Sequence, residues 1–263
     1  MNSSRNASRA RSVILDPTLP PALCLQASAL FLDVDGTLLP LSAHPREVEV
    51  PASLLETLNA LRDLSGGALA LVSGRPQATL DQLFAPECFA LAGQHGTERR
   101  DAVGNLHIDR RHAETLARLR PLAGELAAGI PGAFVEDKGL SIAIHAQHAQ
   151  GALARLRHLL EEALATETGL SLLEGKAVLE IRSVQADKGR ALRAFMAEPP
   201  FRGRLPVYLG DDVTDESAFE AVNLEGGLSI KVGPGPSVAR FRLASPDAAV
   251  SWLTGHVRLE ERP

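Results

Sequence analysis

The stretch Leu30-Phe31-Leu32-Asp33-Val34-Asp35-Gly36-Thr37-Leu38-Leu39 constrains this chain more than any other. An apolar run ends in two acids one residue apart, followed at once by glycine. Side chains alternate along a strand, so a strand here puts Asp33 and Asp35 on one face at its end, where Gly36 lets the backbone turn away. Two carboxylates at the end of a buried strand are costly unless something positive sits against them, most simply a divalent cation. Asp-Gly is also a common turn dipeptide, so the stretch by itself fits a surface β-turn as well. The rest of the chain decides between the two.

The same grammar recurs. The run 68–72 closes in Ser73-Gly74-Arg75-Pro76, and Val207-Tyr208-Leu209-Gly210 closes in Asp211-Asp212-Val213-Thr214-Asp215-Glu216. Helical spacing of Leu54, Leu58 and Leu61 separates the first two runs, and Asp187 is placed to cap a helix before the third. Further strands are expected at 88–92 and 228–232, with a last helix opening at Pro246. Strands alternating with helices, with polar residues at the strands' carboxyl ends, indicate a parallel α/β sheet that binds its ligand beyond those ends. From about Arg110 the pattern changes to helix, hairpin, helix, hairpin, with strands expected at 133–136, 140–145, 170–173 and 177–181. The expected organisation is a flexible leader over 1–25, an α/β core over 26–109 and 185–263, and an inserted α+β cap domain over 110–184.

Composition narrows the partners. The chain has 263 residues, 45% hydrophobic but only 4% aromatic, so its core must be mainly aliphatic. A net charge of -5 without a basic run argues against nucleic acid. No apolar segment reaches membrane-spanning length, so the expectation is a cytoplasmic monomer without a membrane partner. Cys24 and Cys88 lack metal-ligand spacing and read as packing residues.

The strand ends collect Asp33, Asp35, Ser73, Asp211, Asp212 and Asp215, with Lys188 opening the helix before the last of these strands. Hard oxygen donors suit Mg²⁺, and a serine with a lysine suits the oxygens of a phosphoryl group. An aspartate in line with phosphorus can act as nucleophile, forming an acyl phosphate that water hydrolyses. In the insertion, Glu136, Lys138, His145, Lys176, Glu180 and Arg182 could bind a hydroxyl-rich ligand, or be solvated hairpin charges.

Asp33-Val34-Asp35-Gly36-Thr37, Ser73-Gly74-Arg75, Asp187-Lys188-Gly189 and Gly210 to Glu216 resemble, in order, the four motifs of the haloacid-dehalogenase superfamily of phosphatases. That superfamily's core is Rossmann-like, with a parallel sheet flanked by helices. Three further segments make the chain similar to the trehalose-6-phosphate phosphatases: Gly93-Gln94-His95-Gly96-Thr97-Glu98, Val135-Glu136-Asp137-Lys138 with Ser141 and His145, and Gly175 to Arg182. The resemblance implies Mg²⁺-dependent hydrolysis of trehalose 6-phosphate to trehalose and phosphate, the last step of trehalose biosynthesis, through an aspartyl phosphate.

By that resemblance Asp33 is the nucleophile, and Asp35 protonates the leaving sugar oxygen and then activates water. Mg²⁺ is held by the Asp33 carboxylate, the Asp35 main-chain carbonyl and Asp211, with Asp212 and Asp215 orienting its waters. Ser73 and Lys188 bind the phosphoryl oxygens. Glu136, Lys138 and Glu180 lie against the sugar, His145, Lys176 and Arg182 join them in the cap, and His95 stands at the core–cap junction. Alternatives are a phosphatase for another sugar phosphate (sucrose phosphate or a mannosyl phosphate), a phosphosugar mutase, and a non-catalytic sugar-phosphate-binding regulatory subunit. The chain departs from the family at Ser183, where a proline is usual, and at Ala146-Gln147, where an aromatic-basic pair is usual.

Overall fold

The computed structural model describes residues 19–42, 48–84, 89–146, 150–175 and 177–260. Six strands run parallel: β1 (Ser28–Asp33), β2 (Leu69–Val72), β3 (Ala90–Gly93), β10 (Leu205–Gly210), β11 (Leu228–Val232) and β12 (Phe241–Leu243). Two antiparallel strands, β4 (Glu98–Arg100) and β5 (Leu106–Ile108), extend the sheet, giving the order β12-β11-β10-β1-β2-β3-β4-β5.

Every residue of β1 is buried, because helices cover both faces of the sheet. Leu30 and Leu32 join the cluster containing Leu54, Leu58 and Leu61 of α1 (Ala52–Leu64) and Leu253 of α7 (Pro246–Glu260). The alternate residues Ala29 and Phe31 join Leu192 and Phe195 of α5 (Lys188–Met196) and Phe219 of α6 (Glu216–Leu224). A period of two along one strand therefore serves two cores. The short α2 (Gln77–Leu83) links β2 to β3.

Four antiparallel strands form a second sheet: β6 (Phe134–Asp137), β7 (Ser141–His145), β8 (Leu170–Gly175) and β9 (Val178–Ser183), ordered β6-β7-β9-β8. Leu116 and Leu119 of α3 (Ala113–Ala128) and Leu156 and Leu160 of α4 (Gln150–Leu164) pack with Ile142, Ile144, Leu179 and Ile181 into a separate apolar cluster. Two of these strands are longer than the hydrophobic runs suggest, since β8 and β9 continue through Glu174 and Arg182, whereas β6 is shifted by one residue and β7 begins one residue later than expected.

The core sheet is broader than the sequence pattern. β4 carries Glu98-Arg99-Arg100 and so has no hydrophobic signal, yet Glu98 and Arg99 are buried. Arg99 is tied to Glu198 and lies 4.8 Å over the Phe195 ring, which replaces aliphatic packing with a paired charge. Cys24, expected to pack, is exposed, and Cys88 lies outside the described residues. Residues 1–18 of the expected leader also lie outside them, and Leu25 at its end is buried.

Candidate active site

The adjacent strands β10, β1 and β2 deliver Asp211, Asp33 and Ser73 to one edge. Asp33 is the last residue of β1 and is buried. Its Oδ1 accepts a 2.7 Å bond from Lys188 Nζ, and its Oδ2 accepts one of 3.0 Å from Thr37 Oγ1. Lys188 begins α5, whose N-cap Asp187 accepts from the Arg190 N–H at 2.6 Å, so capping fixes where the lysine starts. The same ammonium donates to Asp215 Oδ1 at 2.6 Å.

Asp215 is fully buried and spends both oxygens on neighbours. Tyr208 OH donates to Oδ1 at 2.7 Å, and the Asp211 and Asp212 N–H groups donate to Oδ2 at 3.0 and 2.9 Å. Asp215 therefore shapes the loop that presents Asp211. Gly36 lets that loop come close: its φ is +80°, and a Cβ there would stand 2.1 Å from Asp211 Oδ2. Lys231, a lone lysine in the apolar β11, is buried and donates to the Asp211 main-chain carbonyl.

One ligand atom each from Asp33, Asp211 and Asp215 lies within 4.8 Å of the others. The charges there are unbalanced. Burial and the charges of Asp215 and Asp211 push the Asp33 carboxyl well above the usual carboxylate range, against the pull of Lys188. Burial and Asp215 push Asp211 up to about 6. Burial would lower Lys188, but Asp215 and Asp33 hold its ammonium above the usual lysine range, and Lys188 in turn holds Asp215 low against burial. An oxygen-lined cluster with more negative charge than its cations offset fits a hard divalent ion such as Mg²⁺.

Asp35 points elsewhere. Arg75 Nε and a terminal guanidinium nitrogen each donate to one of its carboxylate oxygens at 2.7 Å, a bidentate pair. Ser73 Oγ, at the end of β2, accepts from the Arg75 N–H at 3.1 Å, which leaves the hydroxyl hydrogen for an anionic oxygen.

The second sheet faces this edge. Lys138 Nζ lies 3.4 Å from the Gly74 carbonyl and 3.3 Å from Glu180 Oε1, which Ser141 Oγ contacts at 2.6 Å. Ser141 Oγ also lies 3.3 Å from Gln94 Oε1, and His95 Nε2 lies 3.5 Å from Glu180 Oε2. Burial opposes ionisation of Glu180, but His95, Lys138 and Ser141 bring its pKa far below the usual range. Burial lowers His95 against the pull of Glu180. Glu136 is lowered by its 2.9 Å bond to His145.

The sequence model of the family described as Trehalose-phosphatase matches residues 31–247, which hold the second sheet, all but the first three residues of the core sheet, and every residue of the site above. The chain belongs to the trehalose-phosphatase family. It is 43% identical over 225 residues to the trehalose-6-phosphate phosphatase of Escherichia coli (strain K12), covering 86% of this chain and 85% of that one. It is 47% identical over 210 residues to a probable trehalose-phosphate phosphatase of Sinorhizobium fredii, covering 78% of each. A solved trehalose-6-phosphate phosphatase related protein superposes with a TM-score of 0.73 at 26% identity, covering 88% of this chain and 97% of that one. A haloacid dehalogenase-like hydrolase from Bacteroides thetaiotaomicron shares the fold at a TM-score of 0.62 and 16% identity. Membership makes the chain a phosphoric monoester hydrolase.

Within this trehalose-phosphatase chain, Asp33, Ser73, Lys188, Asp211 and Asp215 come together at one sheet edge, with Asp212 exposed beside them. Asp35 flanks that cluster with its carboxylate on Arg75. Glu136, Lys138, His145, Glu180 and Arg182 belong to the second sheet or its turn, and His95 meets Glu180 across the junction. Arg182 is half-buried, and burial lowers its pKa. Lys176 lies outside the described residues. Sequence reasoning gave no role to Tyr208, Lys231 or Gln94. Lys231 had a legible signal, a single lysine inside an apolar strand, whereas the Tyr208 hydroxyl reaches Asp215 only through the folded turn. Among the described residues no helix is long and apolar enough to cross a membrane.

Proposed function

We propose that the chain is a Mg²⁺-dependent phosphatase that converts trehalose 6-phosphate to trehalose and phosphate through an aspartyl phosphate on Asp33. The observation that carries this reading is the buried Asp33–Lys188–Asp215 linkage beside Asp211, lying under a cap face of carboxylates, amine and imidazole. The names of the relatives supply the substrate.

Asp33 attacks phosphorus; a P–O bond to Asp33 forms as the bond to the sugar oxygen breaks, and Asp35 gives that oxygen its proton. Asp35 then takes a proton from water, which attacks phosphorus and frees Asp33. Arg75 clamps both Asp35 oxygens, so it sets the carboxylate's direction and must yield one oxygen for the proton to pass. Ser73 and Lys188 hold the transferring oxygens, which suits a loose transition state stabilised mainly by positioning and charge. Asp33, Asp211 and the main chain at Asp35 would hold Mg²⁺, with Asp215 and Asp212 behind them. The bound ion would supply Lewis-acid neutralisation of phosphoryl charge. A disaccharide's hydroxyls would meet Glu136, Lys138, Glu180, His145, Lys176 and Arg182 on the cap, with His95 beneath.

Phosphate release from a panel of sugar phosphates, with and without Mg²⁺, tests the reading. The expected result is Mg²⁺-dependent release with the highest kcat/KM for trehalose 6-phosphate. A preference for a monosaccharide phosphate, or interconversion without free phosphate, would overturn it.

A further inference from the structure

One face of the cap sheet carries a side chain that the reaction does not use. Register sets Phe134 opposite His145 and Glu136 opposite Ala143, and sets His145 and Ala143 opposite Val178 and Glu180. Directly paired residues share a face, so Phe134, Glu136, His145 and Glu180 lie together. The intervening residues Val135, Ile142, Ile144, Leu179 and Ile181 pack with the helices on the other side. The Phe134 face is thus the one through which Ser141 and Glu180 meet Gln94 and His95 of the core.

On this face Phe134 remains 50% exposed, although full burial of such a ring is favourable by about 1.5–3 kcal/mol. One side of the ring lies flat on the His145 imidazole, with centroids 4.6 Å apart and planes within 9°. His145 is itself held by Glu136 at 2.9 Å. With that side covered, the exposed surface is the opposite side and the edge. A strand rise of about 3.3 Å per residue places Phe134 roughly 13 Å along the chain from Lys138, which touches the core at Gly74. Phe134 thus stands at the end of β6 remote from that core contact, where a second sugar ring has room to extend. A pyranose has an apolar C–H face and a hydroxyl rim, and an aromatic face edged by a carboxylate and an imidazole complements both.

We infer that Phe134, braced by His145, is the stacking platform for the sugar ring distal to the phosphate, and so a specificity-determining residue for phosphorylated disaccharides. The inference rests on the sugar-phosphatase reading above. Steady-state kinetics with trehalose 6-phosphate in Mg²⁺ tests it. Phe134→Ala should raise KM about tenfold while kcat stays within about twofold, because the lost contact is remote from phosphorus. Phe134→Trp, which keeps an aromatic face, should bring KM back to within about threefold of wild type. An unchanged KM in Phe134→Ala, or a rise that Phe134→Trp does not reverse, overturns the platform alone. A wild-type enzyme idle on trehalose 6-phosphate overturns the substrate reading and the platform with it.

Discussion

The strand-end edge and the cap face each bury acids and, Asp215 on Lys188 apart, the acids shift in opposite directions. At the edge, burial and mutual repulsion raise Asp33 and Asp211, even with Lys188 in contact. On the cap, His95, Lys138 and Ser141 lower Glu180 despite its burial, and His145 lowers Glu136. The edge is short of positive charge and the cap is balanced. A balanced surface can hold a neutral sugar by hydrogen bonds, whereas a deficient one needs a cation before it can accept a phosphoryl group. Rigidity differs as well. Asp215 is fixed by four hydrogen bonds of 3.0 Å or less, while the Lys138, Ser141 and His95 contacts across the junction run from 3.3 to 3.5 Å.

The largest effects should fall on the edge. Asp33→Asn should lower turnover on the order of 10,000-fold while the cap still binds sugar. Near-normal phosphate release from that variant would break the assignment of chemistry to the edge. Lys188→Met should reduce turnover by about 1,000-fold and destabilise the fold by about 3–5 kcal/mol, since Asp33 and Asp215 are left buried without their partner. Urea unfolding measures the second number, and a variant as stable as wild type would show that the linkage holds nothing together.

A charge-deficient edge should be stabilised when a divalent cation binds it. Mg²⁺ at about 100 times its dissociation constant should add about 2.7 kcal/mol to the unfolding free energy of wild type, and much less to Asp211→Asn. Equal stabilisation of the two proteins would place the ion elsewhere.

How far the sequence revealed these two regions follows the same contrast. The edge is legible because Asp33 ends one apolar strand and Asp211 directly follows another, where a carboxylate needs a reason. β4 was not legible, because its buried Glu98 and Arg99 look like surface charge until Glu198 and Phe195 are seen against them. The Arg75–Asp35 pair spans 40 residues and depends on how two strand ends are juxtaposed, which no local pattern encodes. On the cap, Glu136 and His145 could be named as polar hairpin residues, but that they face each other follows only from the register of β6 against β7. Phe134 read simply as part of a strand, since a hydrophobic run does not say which face will lack a partner.

The smallest effects are the sharpest test of the contrast, because they ask only for its sign. Glu180 has a folded pKa below its ordinary value of 4.5, so its stabilisation is complete above that pH and is lost as the pH falls through the lowered value. Wild type should therefore exceed Glu180→Gln by about 1.5–3 kcal/mol at neutral pH, with the difference flat down to about pH 5. Asp211, raised from 3.8 to about 6, behaves oppositely in metal-free protein. Its favourable contribution is present below 3.8 and is lost as the pH rises through about 6, so wild type should become less stable than Asp211→Asn across that window. Urea unfolding in the presence of a chelator, repeated between about pH 4 and pH 7, gives both difference curves. A Glu180 difference flat above about pH 5, beside an Asp211 difference that falls as the pH rises through about 6, locates the charge deficit at the strand-end edge. Parallel curves would mean that cap and core titrate as one network across the His95–Glu180 contact, and the distinction between a waiting edge and a finished cap would fall.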